Sequence, residues 1–374
     1  MSSVRCLSRA TSLGRGMALT AVAAFGLSMS PVLAGETKGY VVSWFYIAPH
    51  SEDTDCSGGP NPTADKTFVR ILKEQGKSPA EIEKLVDGFP FTMSGPLIAQ
   101  RGRIDGKPVN VYVNPTSVPD PHIKTVIDQT GYGFDLDGRE STGGFTDPDT
   151  GTRGVDNQAY RALGCYTAMR ALPPARPGFP SIQWDTTRDQ MPAWLIEIYG
   201  IDNAQNDDDV QVGIYRAIEP IIRNALGEPQ SDMTFRIDPN ARPQNLARGK
   251  IANGTLTTDA FDFFMTGDPF AMPEYKLKNA RLRLKLNASG VSGIVGGYQP
   301  WEPIYFSYAL AGAQHEAGLS LDVPGIYYAL RNLADSDPDP ATGLNMAISA
   351  SYLIEAIPAY VDHPHAQVSQ APGR

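Results

Sequence analysis

The stretch ARLRLKLNASGVSGIVGGY, Ala280 to Tyr298, constrains the fold more than any other part of the chain. Leu282, Leu284 and Leu286 alternate with Arg281, Arg283 and Lys285. A period of two sends side chains to opposite faces of an extended strand, so the leucines line one face and the basic residues the other. A turn and a second arm follow, which predicts a hairpin with one buried and one wet face, as in an antiparallel sheet covering a core.

Other segments extend that sheet. In GKIANGTLTT (Gly249 to Thr258), Asn253-Gly254 suits a type I′ turn between two alternating arms. AWLIEIYGID and VQVGIYRAI read as strands flanking the acidic turn NAQNDDD, whose Asp207, Asp208 and Asp209 are expected at a solvated tip. GYVVSWFYIAP (Gly39 to Pro49) and VNVYVNP (Val109 to Pro115) also read as strands.

Helical signals fall on either side. TADKTFVRILKEQG is one helix; SPAEIEKLVDG is another, with Ser78 as N-cap, Pro79 after it, Glu81 closing a capping box and Gly88 as the stop. A helix is expected from Asp156 to Leu172, with Cys165 at its middle and Pro173-Pro174 ending it. WEPIYFSYALAGAQHEAG reads as one buried helix, and DVPGIYYALRNLAD as another capped by Asp322. NMAISASYLIEAIPAYV fits a helix or a buried strand. The expected fold is α+β: a central antiparallel sheet or β-sandwich over about 190–298, with helical segments at both ends. Residues 35–185 form an N-terminal α+β region and 186–362 a β-rich region with C-terminal helices, before a disordered tail over 363–374.

The first 34 residues carry the parts of a secretory signal. Arg5, Arg9 and Arg15 precede the short apolar run MALTAVAAFGLSM, and Val32-Leu33-Ala34 offers small residues before a cleavage point. Cleavage after Ala34 places the protein in the periplasm or outside the cell with no later membrane span, and removes Cys6. It also takes three arginines, moving the net charge from −9 to −12. That balance argues against nucleic acid or an anionic membrane as partner. The remaining Cys56 and Cys165 are expected to pair in an oxidising compartment.

Four blocks, GVDNQAYRALGC, NDDDVQVGIY, GGYQPW and AISASYLIEAIPAYV, resemble an uncharacterised family of secreted bacterial proteins. The resemblance spans most of the mature chain and implies structural units, with no established activity and no functional residue to carry over.

The chemistry-bearing candidate is FDLDGRESTGGFTDPDTGTRGVDNQAYRALGC, which holds Asp135, Asp137, Glu140, Asp147, Asp149 and Asp156 with only Arg139 and Arg153 lying among them. Like charges this dense repel unless water or a cation separates them. Asp147 and Asp149, Asp135 and Asp137, and the returning Asp156-Asn157 offer oxygens for Ca2+, which takes about six to eight at roughly 2.3–2.6 Å. The EF-hand pattern is broken, because Gly151 stands where an oxygen-bearing residue belongs and Gln158 where Glu belongs. Two alternatives stay open: Asp156 N-caps its helix while the other acids face water, or a pair of carboxylates serves as acid and base. Asp335-Ser-Asp337-Pro-Asp339 is a lesser candidate for calcium, against a plain turn.

The five histidines, His50, His122, His315, His363 and His365, form no H-E-x-x-H, and the chain has no G-x-S-x-G, P-loop or C-x-x-C-H. No haem or nucleotide is therefore expected. His50 lies among Glu52, Asp53 and Asp55 as a surface group or an acid–base candidate. Tyr298 and Trp301, near Tyr305, Tyr308 and Glu302, suit either ligand stacking or core packing. The resulting expectation is a secreted or periplasmic non-catalytic structural or binding protein, held by a disulfide and Ca2+, with an unidentified protein or polysaccharide partner. The alternatives are a carboxylate-dependent polysaccharide hydrolase and an accessory subunit of a periplasmic oxidative system.

Overall fold

A computed structural model describes residues 35–93, 95–139, 144–172, 174–241, 245–269 and 272–364. The signal-like segment, Glu140 and His365 lie outside the described residues. Eight of the described strands build the frame: β1 (Glu36–Ile47), β2 (Trp194–Ile201), β3 (Asn206–Arg216), β4 (Asn245–Ala252), β5 (Thr255–Thr258), β6 (Glu274–Asn287), β7 (Gly290–Pro300) and β8 (Asn345–Asp362). Each pairs antiparallel with the next, and β8 returns to β1 in a register running from Tyr40↔Pro358 to Ile47↔Tyr352. The sheet therefore closes into an eight-stranded up-and-down barrel.

This corrects the expected fold class. The protein is neither an open sheet nor a sandwich over 190–298, because strands from both ends of the described chain complete one ring. Helices do not terminate it; they lie in connections between strands. Strand outweighs helix, 37% to 24%, so the frame is sheet with helical insertions. Closure also removes the unpaired edges that an open sheet must otherwise protect.

The alternation that predicted β6 holds on its apolar side: Leu282 and Leu284 are fully buried. They join an aromatic core in which Phe45 stacks on Tyr352 at 4.8 Å and meets Trp194 edge-on at 4.8 Å. Asn253 and Gly254 have φ of 50° and 72°, as a type I′ turn requires, and join β4 to β5. β8 resolves the helix-or-strand ambiguity as strand. It pairs with β7 and β1 along its length and takes Met233–Arg236 parallel at its end.

The β1–β2 connection carries α1 (Ala64–Glu74), α2 (Pro79–Asp87), α3 (Gln158–Leu163) and α4 (Gly178–Gln190). The β7–β8 connection carries α5 (Trp301–Ala309), α6 (Gly312–Leu319) and α7 (Val323–Leu333). α2 has the predicted capping box, with Ser78 and Glu81 bonded reciprocally. Asp322 caps α7 by accepting from Gly325 N at 3.0 Å. The two insertions are clipped together by Arg101, which holds the fully buried Glu316 through two bonds of 3.0 and 2.7 Å.

Three local expectations fail. The helix foreseen over Asp156–Leu172 spans only Gln158–Leu163, and Cys165 lies past its end. VNVYVNP is not a strand, because Asn110 Oδ1 takes Tyr112 N at 2.8 Å and folds the chain into a turn. WEPIYFSYALAGAQHEAG breaks into α5 and α6. Among the described residues no helix is long and apolar enough to cross a membrane.

Candidate functional site

The acidic loop lies on the outer wall of the barrel. Phe134 and Asp156 form an antiparallel bridge, with Asp156 N donating to Phe134 O at 2.8 Å. The Phe134 ring rests on β7 where a Cβ at Gly296 would come within 2.9 Å of Phe134 Cδ2, so any larger residue would push the loop outward. β6 supplies the hooks. Arg281 Nη1 donates to Asp135 O at 2.6 Å, Asn279 Nδ2 to Leu136 O at 3.3 Å, and Arg283 pairs with Asp147 at 2.6 Å. Of the three basic residues expected to be wet, Arg281 and Arg283 are therefore half-covered, while Lys285 is exposed.

These contacts sort the six expected calcium ligands into two groups. Asp135, Asp137 and Asp156 converge, with one carboxylate oxygen from each within 4.8 Å of the others. Asp135 Oδ1 accepts from Gly138 N at 2.7 Å, Asp137 Oδ1 from Arg139 N at 2.8 Å, and Asp156 Oδ2 from Leu136 N at 2.8 Å. Each carboxylate is thus steered by one backbone amide, and none has a Lys or Arg partner among the described residues.

The other three expected ligands lie outside this group. Asp147 is fully buried and spends both oxygens on Arg283, Gly133 N, Asp149 N, Thr150 N and the Thr150 hydroxyl. Asp149 is exposed. Asn157 accepts from Tyr160 N and Ser351 N and donates to Ala48 O and Tyr132 O, so its side chain braces α3 against the barrel.

A fourth carboxylate, outside that convergence, couples to the trio electrostatically. Asp335, flagged in the sequence only as part of a lesser candidate, accepts from Ser349 N at 2.7 Å and Ser349 Oγ at 2.6 Å. Burial pushes its pKa up, and the nearby Asp137 charge adds to that rise. Asp156 is pushed up to about 6, first by burial and then by Asp137, Asp335 and Asp135, against the lowering effect of the Leu136 amide. Tyr298 of β7 is half-buried beside the group, and its pKa rises through burial and the same four carboxylates. The sequence signal for Asp335 was present, but its use depends on Ser349 of β8, a strand the sequence left ambiguous.

Chemically, such a group can bind a divalent cation with its remaining oxygens or hold a shared proton. Metal binding needs deprotonated ligands, so the raised Asp156 pKa makes affinity pH-dependent. Sugar stacking finds little surface here: Trp301 is 4% exposed and donates its Nε1 to Asn345 O at 3.1 Å, while Tyr305 and Tyr308 are buried. Only Tyr298 of the expected aromatic group is accessible.

The disulfide between Cys56 and Cys165 forms as expected. It joins the segment after β1 to the end of α3, and beside it Asp55 pairs with Arg170 at 2.7 Å. The histidines are scattered: His50 Nε2 lies 3.0 Å from Glu52, His315 Nδ1 2.7 Å from Tyr308 O, and His363 Nε2 2.6 Å from Glu197.

No protein-family model matches the chain, and comparison with curated proteins and with solved structures gives no match.

Proposed function

We propose that the protein is a secreted or periplasmic binding protein, without a reaction of its own, whose acidic loop is held on the barrel by Ca2+. The observation that carries this is the convergence of Asp135, Asp137 and Asp156, each fixed by one backbone amide and none neutralised by a basic side chain among the described residues. Three carboxylates are a hard oxygen set of the kind Ca2+ takes, and extracellular sites function at weak affinity. The disulfide accords with an oxidising compartment, as does the signal-like segment before Gly35.

The test is thermal unfolding of the protein lacking residues 1–34, first in EDTA and then in millimolar CaCl2. A rise in melting temperature that Asp137→Asn abolishes supports the reading; equal melting curves overturn it.

A carboxylate-dependent polysaccharide hydrolase is the second reading, and one observation favours it: Asp156 is lifted to about 6 beside other carboxylates, as a general acid requires. Hydrolysis of a polysaccharide panel that Asp156→Asn abolishes, without a Ca2+-dependent rise in melting temperature, would establish it.

A further inference from the structure

Trp44 of β1 and Glu355 of β8 are register partners on the outer wall of the barrel, and Ala171 and the chain from Pro174 to Pro180 lie beside them. Between these segments and the Pro49–Glu52 turn lies a cleft of about 490 Å³. That is the size of a small-molecule site, and the cleft is distinct from the carboxylate group. Tyr132 lines one side, three residues before Asp135, with its ring edge-on to His50 at 5.8 Å.

The charges in the cleft are unequal. Glu52 and Glu355 face one permanent cation, Arg176, and the His50 imidazole. In a chain of net charge −9 this surplus repels anions and attracts cations. The protein's own side chains already illustrate the chemistry: the Arg176 guanidinium lies 4.1 Å from the Trp44 ring centroid and 2.5 Å from Glu355. An aromatic face with a carboxylate at its rim is the standard arrangement for an organic cation. Because the Arg176–Glu355 pair is solvent-exposed, it can exchange with a ligand at little cost. Ser51 also lines the cleft, and its Oγ is withdrawn from water without a hydrogen-bond partner.

We propose that this cleft binds a small organic cation, an amine or guanidine on an apolar or aromatic body, with its charge taken by Glu52 and Glu355. The inference rests on the binding-protein reading above and names its ligand class.

The experiment is calorimetric titration of the protein, in CaCl2, with phenethylamine, 2-phenylethanol and phenylacetate, which share a body and differ in charge. Phenethylamine should bind at least tenfold more tightly than the alcohol, phenylacetate should give no heat, and Glu52→Gln and Glu355→Gln should each weaken the amine severalfold. Equal binding of amine and alcohol, preference for phenylacetate, or no binding of any probe overturns the proposal. The Ca2+ shift in melting temperature is read on the same sample, so a failed titration with an intact shift rejects the amine site and leaves the cation site standing.

Discussion

Arg283 Nη2 lies 2.6 Å from Asp147 Oδ2, joining the outer face of β6 to the acidic loop with both side chains largely withdrawn from water. Asp147 is the hub of its turn, and Arg283 neutralises it. Removing one partner of such a pair leaves a buried charge without compensation, typically at about 3–5 kcal/mol. Arg283→Met is expected to lower the unfolding free energy measured in urea by that amount, through a lower midpoint at an unchanged m-value. A loss under about 1 kcal/mol would mean that water reaches Asp147 and that the loop is not pinned there.

The division of acids predicts which substitutions affect a Ca2+ response. Asp135→Asn and Asp137→Asn keep the backbone-amide bonds, through the amide oxygen, but remove ligand charge, and each should abolish most of the shift. Asp149→Ala should leave it intact, because Asp149 is exposed and outside the converging group. For the unaltered protein the expected stabilisation is about 2.7 kcal/mol at a Ca2+ concentration a hundred times Kd. Loss of the shift in Asp149→Ala with retention in Asp137→Asn would place the ion at the Asp147 turn.

Much of the local structure could be read from local sequence. The Ser78–Glu81 box, the Asn253-Gly254 turn and the leucines of β6 each depend on residues a few positions apart. Barrel closure could not be read in this way. It rests on β1 meeting β8, and β8 lacks alternation because loops cover much of its outer face while the core covers its inner one. The same limit applied to the site. Asp135 and Asp147 look equivalent in sequence, yet Arg283, 136 positions after Asp147, takes one out of contention and leaves the other. Asp335, whose charge couples to the trio, is held in place by Ser349 of that same unreadable strand.

The disulfide supports a second prediction about the loop. Cys56 and Cys165 are buried with Val126, Phe145, Val155 and Tyr160 in a small core beneath the insertion, 109 positions apart in sequence. Losing a native bridge of this kind typically costs about 2–5 kcal/mol. The paired change Cys56→Ser/Cys165→Ser should show that loss in urea. It should also raise the Ca2+ concentration for half-maximal stabilisation, since α3 positions Asp156 and Cys165 anchors the end of α3. An unchanged Ca2+ midpoint would separate the bridge from the site.

The pH dependence has a sign that the cation should reverse. Asp156 is raised from 3.8 to about 6 in the folded protein, mainly by burial. Between those values the folded state holds a proton that the unfolded state has released. Without metal, its contribution to stability is therefore greatest at low pH and is lost as pH rises through the window. Asp335 is raised and acts in the same direction. A bound cation favours the ionised form, so with Ca2+ present the contribution should instead grow as pH rises. The measurement is the melting temperature of the protein minus that of Asp156→Asn, from pH 4 to 7, in EDTA and in CaCl2. Subtraction cancels groups far from the site, such as Glu81, which its capping bonds hold down at about 2. The difference should fall with pH in EDTA and rise with pH in Ca2+. A difference independent of pH in both solutions would mean that Asp156 does not titrate in this range. A falling difference in both would keep its raised pKa and remove the metal.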